Sequence, residues 1–480
     1  MAVAGLIFLF VAHYLSGRGL LHLFKIELKP LATFFLSMIC GVILASLYPL
    51  FLELLHIPIT KTSVGIIICL FTVLLNITTY KKYKFPSPKD LKINIEIYEL
   101  PFLLFFIFLM ALSAWRCFYF PPFARDMLSG PEAIAEYAVR EHKLVNSIFS
   151  LNLESTNNHL KPPFVTDLQI IYKLFVYPFG EIWLSLITIP FVFWLYTLVK
   201  EKLHPLIACI VMLFFMSMPD PYAYTYIVLF DYCNMICYFA GFYFFVQYVS
   251  NKQYNYFLFS AFMFGLATYI RPETLVLVAM TGPLVLYYFI KDKMPTSKMI
   301  IRLAIFGVVP FLFYYIWMGI FMKFYMPVHF DVGSQIVFGQ NSFWDRITAM
   351  TKLFIFGIAD NPNQDGLNLR LYGYFYYVFL ILFAVDLIFF RKKMNTESKI
   401  MLYGILVVYI GLPLLGYLIP WVDLLNTTKR GLYKMFPLMM IYFRNNGFLT
   451  LLSDTIRKWE FPKLPPQKIQ PVIQQKKKGK

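Results

Sequence analysis

The segment LPFLLFFIFLMALSAWRCFYFPPFARD, residues 100–126, decides the fold. Its first part is apolar over a length sufficient to cross roughly 30 Å of hydrocarbon, which takes about 20 residues in a helix. Inside a bilayer no water satisfies the backbone, so a lone crossing segment has to bond internally as a helix. Pro121 and Pro122 close the run, and Arg125 with Asp126 returns the chain to water. The pattern reads as a membrane span followed by an exposed loop.

Comparable runs recur near 2–17, 31–55, 63–80, 180–199, 205–219, 225–249, 254–270, 274–290, 301–325, 371–390, 400–419 and 431–449. The expectation is an all-α polytopic membrane protein with about 13 transmembrane helices. Composition excludes a soluble globule of this length: 59% of residues are hydrophobic, 19% aromatic and only 14% charged. The first run lacks a basic leading region and a small-residue cleavage site, so it is expected to be retained as a helix.

The net charge of +17 suggests nucleic acid until its placement is considered. The positive charges fall in alternate loops, KKYKFPSPKDLK at 81–92, KEK at 200–202, KDKMPTSK at 291–298 and RKKMNTESK at 391–399. Under the positive-inside rule these are cytoplasmic, and membrane lipids rather than nucleic acid are the expected contact. The tail from about 454 to 480, rich in Pro, Gln and Lys, is expected to be a disordered cytoplasmic appendage. All six cysteines, at 40, 69, 117, 209, 233 and 237, lie in apolar runs and imply neither a disulfide framework nor a zinc site.

With 81–92 inside, segments 122–179, 220–224, 271–273, 326–370 and 420–430 face outward. Loops of the length of 122–179 and 326–370 are commonly functional. In the first, Ser129-Gly-Pro-Glu132 reads as a helix start closed by a capping box, with a helix over 131–149 lying on the membrane surface. A second short helix after Pro163 aligns Phe164, Leu168, Ile171 and Phe175 and should run along or into the interface. Between them, NHLKPPFV at 158–165 holds Lys161 against two prolines. Asp231 is expected about a turn and a half inside the next outward-opening span, where a charge is costly and functional by default. Arg271 stands at the following outer turn, beside Glu273.

An acid near the start of an outer loop, two juxtamembrane helices, Lys-Pro-Pro at 161–163, Asp231 and Arg271 together resemble the GT-C glycosyltransferases. The resemblance is to the branch containing protein O-mannosyltransferases and lipid A aminoarabinose transferases. It covers about 100–290 well and the rest in architecture. It implies a GT-C-like core over 100–449, with helices 1–99 extra to it and 450–480 a basic tail. It further implies transfer of a sugar from a polyprenyl-phosphate donor to a lipid, glycan or protein acceptor, with inversion, on the outer face of a bacterial inner membrane. Lys161 and Arg271 would bind the donor phosphate, with Arg430 in NTTKR at 426–430 a further cation. Asp126 would be the general base and Asp231 its partner, while His159 and Glu273 would contact substrate. The family commonly places adjacent acids where Asp126 is followed by Met127; alignment through AEYAVRE would make Glu132 the acid instead. Leu160 stands where aminoarabinose enzymes can carry a metal-coordinating residue, so no metal or cofactor is expected. A lipid-linked glycan flippase or transporter and an O-antigen ligase or polymerase are the competing readings. A flippase needs charges spread through the bilayer depth, and a ligase tends to carry several arginines in its late outer loop.

Overall fold

The computed structural model describes residues 2–77, 95–119, 125–149, 161–326, 337, 342–356, 371–419 and 427–460. His159, the polar segment 361–370 and the end of the tail, 461–480, lie outside the described residues. Among those described the chain is all helix and turn, an all-α polytopic membrane protein. The helices that position the site are α1 Ala2–Leu23, α2 Pro30–Ala45, α3 Lys61–Asn76, α4 Leu100–Tyr119, α5 Ala133–Glu141 and α6 Phe164–Val176. They continue with α7 Ser185–Lys200, α8 Phe230–Asn251, α9 Tyr254–Ile270, α10 Thr296–Tyr315, α11 Thr396–Leu418, α12 Met435–Phe443 and α13 Gly447–Glu460.

Six helical segments are long and apolar enough to cross a bilayer, and four shorter apolar helices accompany them among the described residues. The expected count was higher because α8 and α9 read as spans and because the run 431–449 divides into the turn Leu432–Lys434, α12 and the start of α13. In the structure α8 is too rich in Tyr, Asn and Gln, and α9 too short, to qualify on hydropathy and length. Both are buried along nearly their whole length by other helices, so neither depends on lipid contact.

Close helix approach is built on small residues. Gly17 of α1 faces the Ser37 carbonyl of α2, and Gly41 of α2 faces the His13 carbonyl of α1. A Cβ at either position would collide with backbone, so the two glycines set the crossing distance. The same N-terminal helices flank α6: His13 Nε2 lies 3.1 Å from the Tyr172 hydroxyl, and α1, α2 and α3 all pack on α6. The expected apolar stripe is buried by these helices, and Phe164 through Tyr172 are buried on every face, Asp167 and Gln169 finding partners inside the protein.

Three further expectations change. The first loop helix runs over 133–141, not 131–149, and begins after a kink at Gly130; His142 ends it in the left-handed region. Asp231 sits in the first turn of α8, because residues 225–229 are not helical. The positive end of that helix favours its carboxylate. Residues 447–460 form an amphipathic helix, so the appendage does not begin near 454. Helix α13 is anchored at its end by a 2.9 Å contact between His204 Nε2 and Glu460.

Charges separate by end of the bundle. At one end Lys200 pairs with buried Glu99, Lys202 with Glu397, and Arg444 with Glu201 and Glu397. The site residues gather elsewhere, at the ends of α8 and α9 remote from the Lys252 turn.

Candidate active site

Helices α8 and α9 form an antiparallel hairpin closed by Lys252, whose φ of 56° makes the turn. Asp231 and Arg271 are nearly equidistant in sequence from that turn, so the hairpin brings them level. Asn234 fixes this register. Its Nδ2 donates to the Ala267 carbonyl at 2.6 Å and to Thr274 Oγ1 at 3.1 Å. Arg271, in extended conformation at the end of α9 and followed by Pro272, turns its guanidinium onto Asp231. Both side chains are almost wholly buried, and Arg271 Nε also lies 2.5 Å from Glu273 Oε1. A buried charge without such pairing would cost several kcal/mol, roughly.

A third element completes the set. The turn Lys429–Gly431 presents Arg430 Nη1 3.6 Å from Asp126 Oδ2 and 3.7 Å from Asp231 Oδ2. Asp126 lies in the short turn Arg125–Met127, which is held by the buried Met127 side chain. The result is a continuous series of alternating charges: Asp126, Arg430, Asp231, Arg271, Glu273. The Tyr224 hydroxyl lies beside the Arg430 guanidinium, which can donate to it.

Lys161 joins the same field. Its Nζ stands 5.3 Å from the centroid of Phe230, the residue before Asp231. Burial, reinforced by the Arg271 charge and only partly offset by Glu273, lowers its pKa to about 7. Burial likewise lowers the Arg271 pKa. Glu273 is held below the usual carboxylate range, because the attraction of Arg271 and Lys161 outweighs its desolvation.

The structure therefore brings together Asp126, Asp231, Arg271, Glu273, Arg430 and Lys161. Glu132 belongs to a different group. Its carboxylate lies 2.5 Å from Lys173 Nζ and accepts from Gln169 Nε2 at 2.7 Å, while Gln169 Oε1 accepts from Trp183 Nε1 at 2.8 Å. The expected capping box is not formed: Glu132 is itself the residue ahead of α5, and its carboxylate makes no capping hydrogen bond. Its side chain instead ties the start of α5 to α6.

Sequence reasoning missed Lys434. It lies in the short turn Leu432–Lys434, is 2% exposed, and shares the electrostatic field of Arg271 and Glu273. A signal was present: a lysine interrupting the apolar run 431–449.

Chemically, the arrangement offers cations to an anion at Lys161, Arg271 and Arg430, and one acid open to an incoming group. The Asp126 side chain is 38% exposed and that of Asp231 2%, so only Asp126 is accessible to a second substrate. Among the described residues no group of three or more His, Cys, Asp or Glu side chains is placed to hold a metal ion.

No curated protein and no solved structure matches the chain. Residues 169–317, which run from α6 into α10 and carry Asp231, Arg271 and Glu273, match the family described as dolichyl-phosphate-mannose-protein mannosyltransferase, and this indicates a membrane glycosyltransferase of the GT-C type.

Proposed function

We propose that the protein transfers a sugar from a polyprenyl-phosphate carrier to a hydroxyl of a lipid, glycan or protein acceptor on the outer face of the membrane. The observation that carries this is the alternating charge series from Asp126 to Glu273 with Lys161 beside it. Transfer breaks the bond between the anomeric carbon and the phosphate oxygen while the acceptor oxygen bonds the opposite face of that carbon. The acceptor proton passes to the Asp126 carboxylate, and the phosphate leaves with one more negative charge. Cations fixed around that phosphate stabilise the transition state more than the ground state, which is what raises turnover.

Each residue has a distinct part. Lys161 and Arg271 hold the phosphate, the first as a point charge and the second as a planar fork. Asp126 is the general base, within contact of an acceptor because it is the exposed acid. Asp231, saturated by Arg271 and Arg430, is a positioning residue that keeps both cations in place. Arg430 couples the base to the phosphate-binding side.

The test is a turnover assay with the full chain in lipid nanodiscs, a polyprenyl-phosphate sugar as donor, and release of polyprenyl phosphate as readout. Donor turnover that is lost in Asp126→Asn and reduced in Lys161→Ala and Arg271→Ala is the expected result. Unchanged turnover in all three variants overturns the reading.

A further inference from the structure

Lys434 belongs to this cluster, yet neither the charge series nor the phosphate contacts proposed above assign it a part. It follows Arg430 by four residues, at the end of the three-ten turn Leu432–Lys434 that continues the turn Lys429–Gly431. The turn that carries it packs directly on α8. Arg430 reaches Asp231 at the start of α8, while Lys434, one turn further along the chain, shares the field of Arg271 and Glu273.

The partners of the other cations are already assigned. Arg271 holds Asp231 and Glu273, and Arg430 faces Asp126 and Asp231. Among the described residues Lys434 has no hydrogen-bonded or ion-paired partner, although it is almost completely buried. Among the described residues Lys161 likewise has no hydrogen-bonded or ion-paired partner, and its Nζ stands 5.3 Å from the centroid of the Phe230 ring. Both lysines feel the charges of Arg271 and Glu273, which places them around the same ion pair. Glu273 cannot neutralise either fully while it is held by Arg271. A buried ammonium without an anion is expensive, and that expense is relieved only when an anion arrives.

We infer that Lys434 is a further phosphate-binding residue, which with Lys161 and Arg271 holds the lipid-borne phosphate monoester produced by sugar transfer. The inference rests on the proposed function above and adds a preference to it. Two otherwise unpaired lysines favour a dianion over the singly charged phosphodiester of the donor, so the site grips the leaving phosphate more tightly as its charge grows. The released carrier is accordingly a strong product inhibitor.

The experiment measures binding of a short-chain polyprenyl monophosphate to the full chain in nanodiscs of zwitterionic lipid, with the corresponding polyprenyl alcohol as the uncharged control. Lys434→Met is expected to weaken monophosphate binding tenfold or more, to weaken the donor less, and to leave the alcohol unaffected. Lys434→Arg, which keeps the charge, should restore monophosphate binding to within a few fold, which a merely space-filling role would not do. If Lys434→Met fails to fold, Lys434→Gln is judged by the same criteria. Wild-type monophosphate binding in the uncharged variant, with weakened binding in Lys161→Ala and Arg271→Ala, overturns the inference and leaves the site reading intact. Wild-type binding in all three overturns both.

Discussion

Arg430 stands between Asp126 and Asp231, 3.6 Å from one carboxylate and 3.7 Å from the other. One acid is open and the other buried, so a single guanidinium links the residue able to meet an acceptor to the residue that anchors Arg271. Replacing Arg430 with Met should lower turnover by about tenfold or more, since breaking one side of a desolvated charge pair costs about 2–5 kcal/mol. Arg430→Lys, with one ammonium in place of a fork, should fall between. Single-turnover rates at saturating donor check this, and a fully active Arg430→Met would show that the contacts are incidental.

The two candidate acids separate cleanly. Asp126→Asn should bind donor normally while transfer drops about 10²-fold or more, the mark of a lost proton acceptor. Glu132→Gln should retain most of its turnover and instead lose stability, because among the described residues Lys173 would keep only Glu136, at 3.1 Å, as an anionic partner. Measuring rate and thermal midpoint on both variants decides it; an inactive but stable Glu132→Gln would transfer the base role to Glu132.

Lys161 predicts a pH dependence. Its pKa of about 7 lies below that of an unfolded lysine, so between the two values the unfolded chain holds more protons and this residue's contribution to stability rises with pH. Donor binding runs the other way. An anionic phosphate favours the protonated amine, so affinity should be full below about pH 7 and decline above it. Titrating donor affinity from pH 6 to 9 in wild type and Lys161→Met tests the assignment; the slope should become shallower in the variant, the remainder belonging to Lys434, whose pKa burial also lowers to about 7.

The glycine crossing predicts a purely structural effect. Gly41→Ala should destabilise the protein by about 1–3 kcal/mol through overpacking against the His13 carbonyl. Gly307→Ala, where a Cβ meets nothing within 4 Å, should be neutral or mildly stabilising. Thermal unfolding in one detergent compares them, and equal midpoints would mean that α1 and α2 can move apart.

Orientation is open to a direct check. A reporter fused within the helix Phe343–Thr351, near 345, should score as external and one near 395 as cytoplasmic. The reverse pattern would put the charge series on the wrong side for a donor presented outside.

The residues of the site were legible where a charge borders an apolar run, because such a charge is costly enough to need a reason. Asp126, Asp231, Lys161, Arg271 and Arg430 were found in that way, and the structure gathers them. Lys434 was not, since it sits inside a run read as a span, and only the fold shows that the turn it occupies faces α8. Burial of helix α6 on both faces was not legible either. The sequence shows only the apolar stripe Phe164, Leu168, Ile171 and Phe175, while Asp167, Gln169 and Lys173 meet Tyr269, Trp183 and Glu132 inside the protein. Pairings between residues far apart in sequence have no local signature, and the partner of Glu132 is of that kind.

The grip of the N-terminal helices on α6 limits how the molecule can be reduced. Asp167 is fully buried and accepts from the Tyr269 hydroxyl at 3.4 Å, and the Tyr269 hydroxyl in turn reaches the Ser46 carbonyl at 3.4 Å. A fragment trimmed to begin near residue 100 would keep the whole stretch that matches the mannosyltransferase family, yet it would remove the helices that cover α6 and the His13 partner of the Tyr172 hydroxyl. Helix α6 follows directly on the Lys161-Pro-Pro turn, so such a fragment is expected to lose the footing of Lys161 while keeping Lys161 itself. The first 77 residues form a socket for α6.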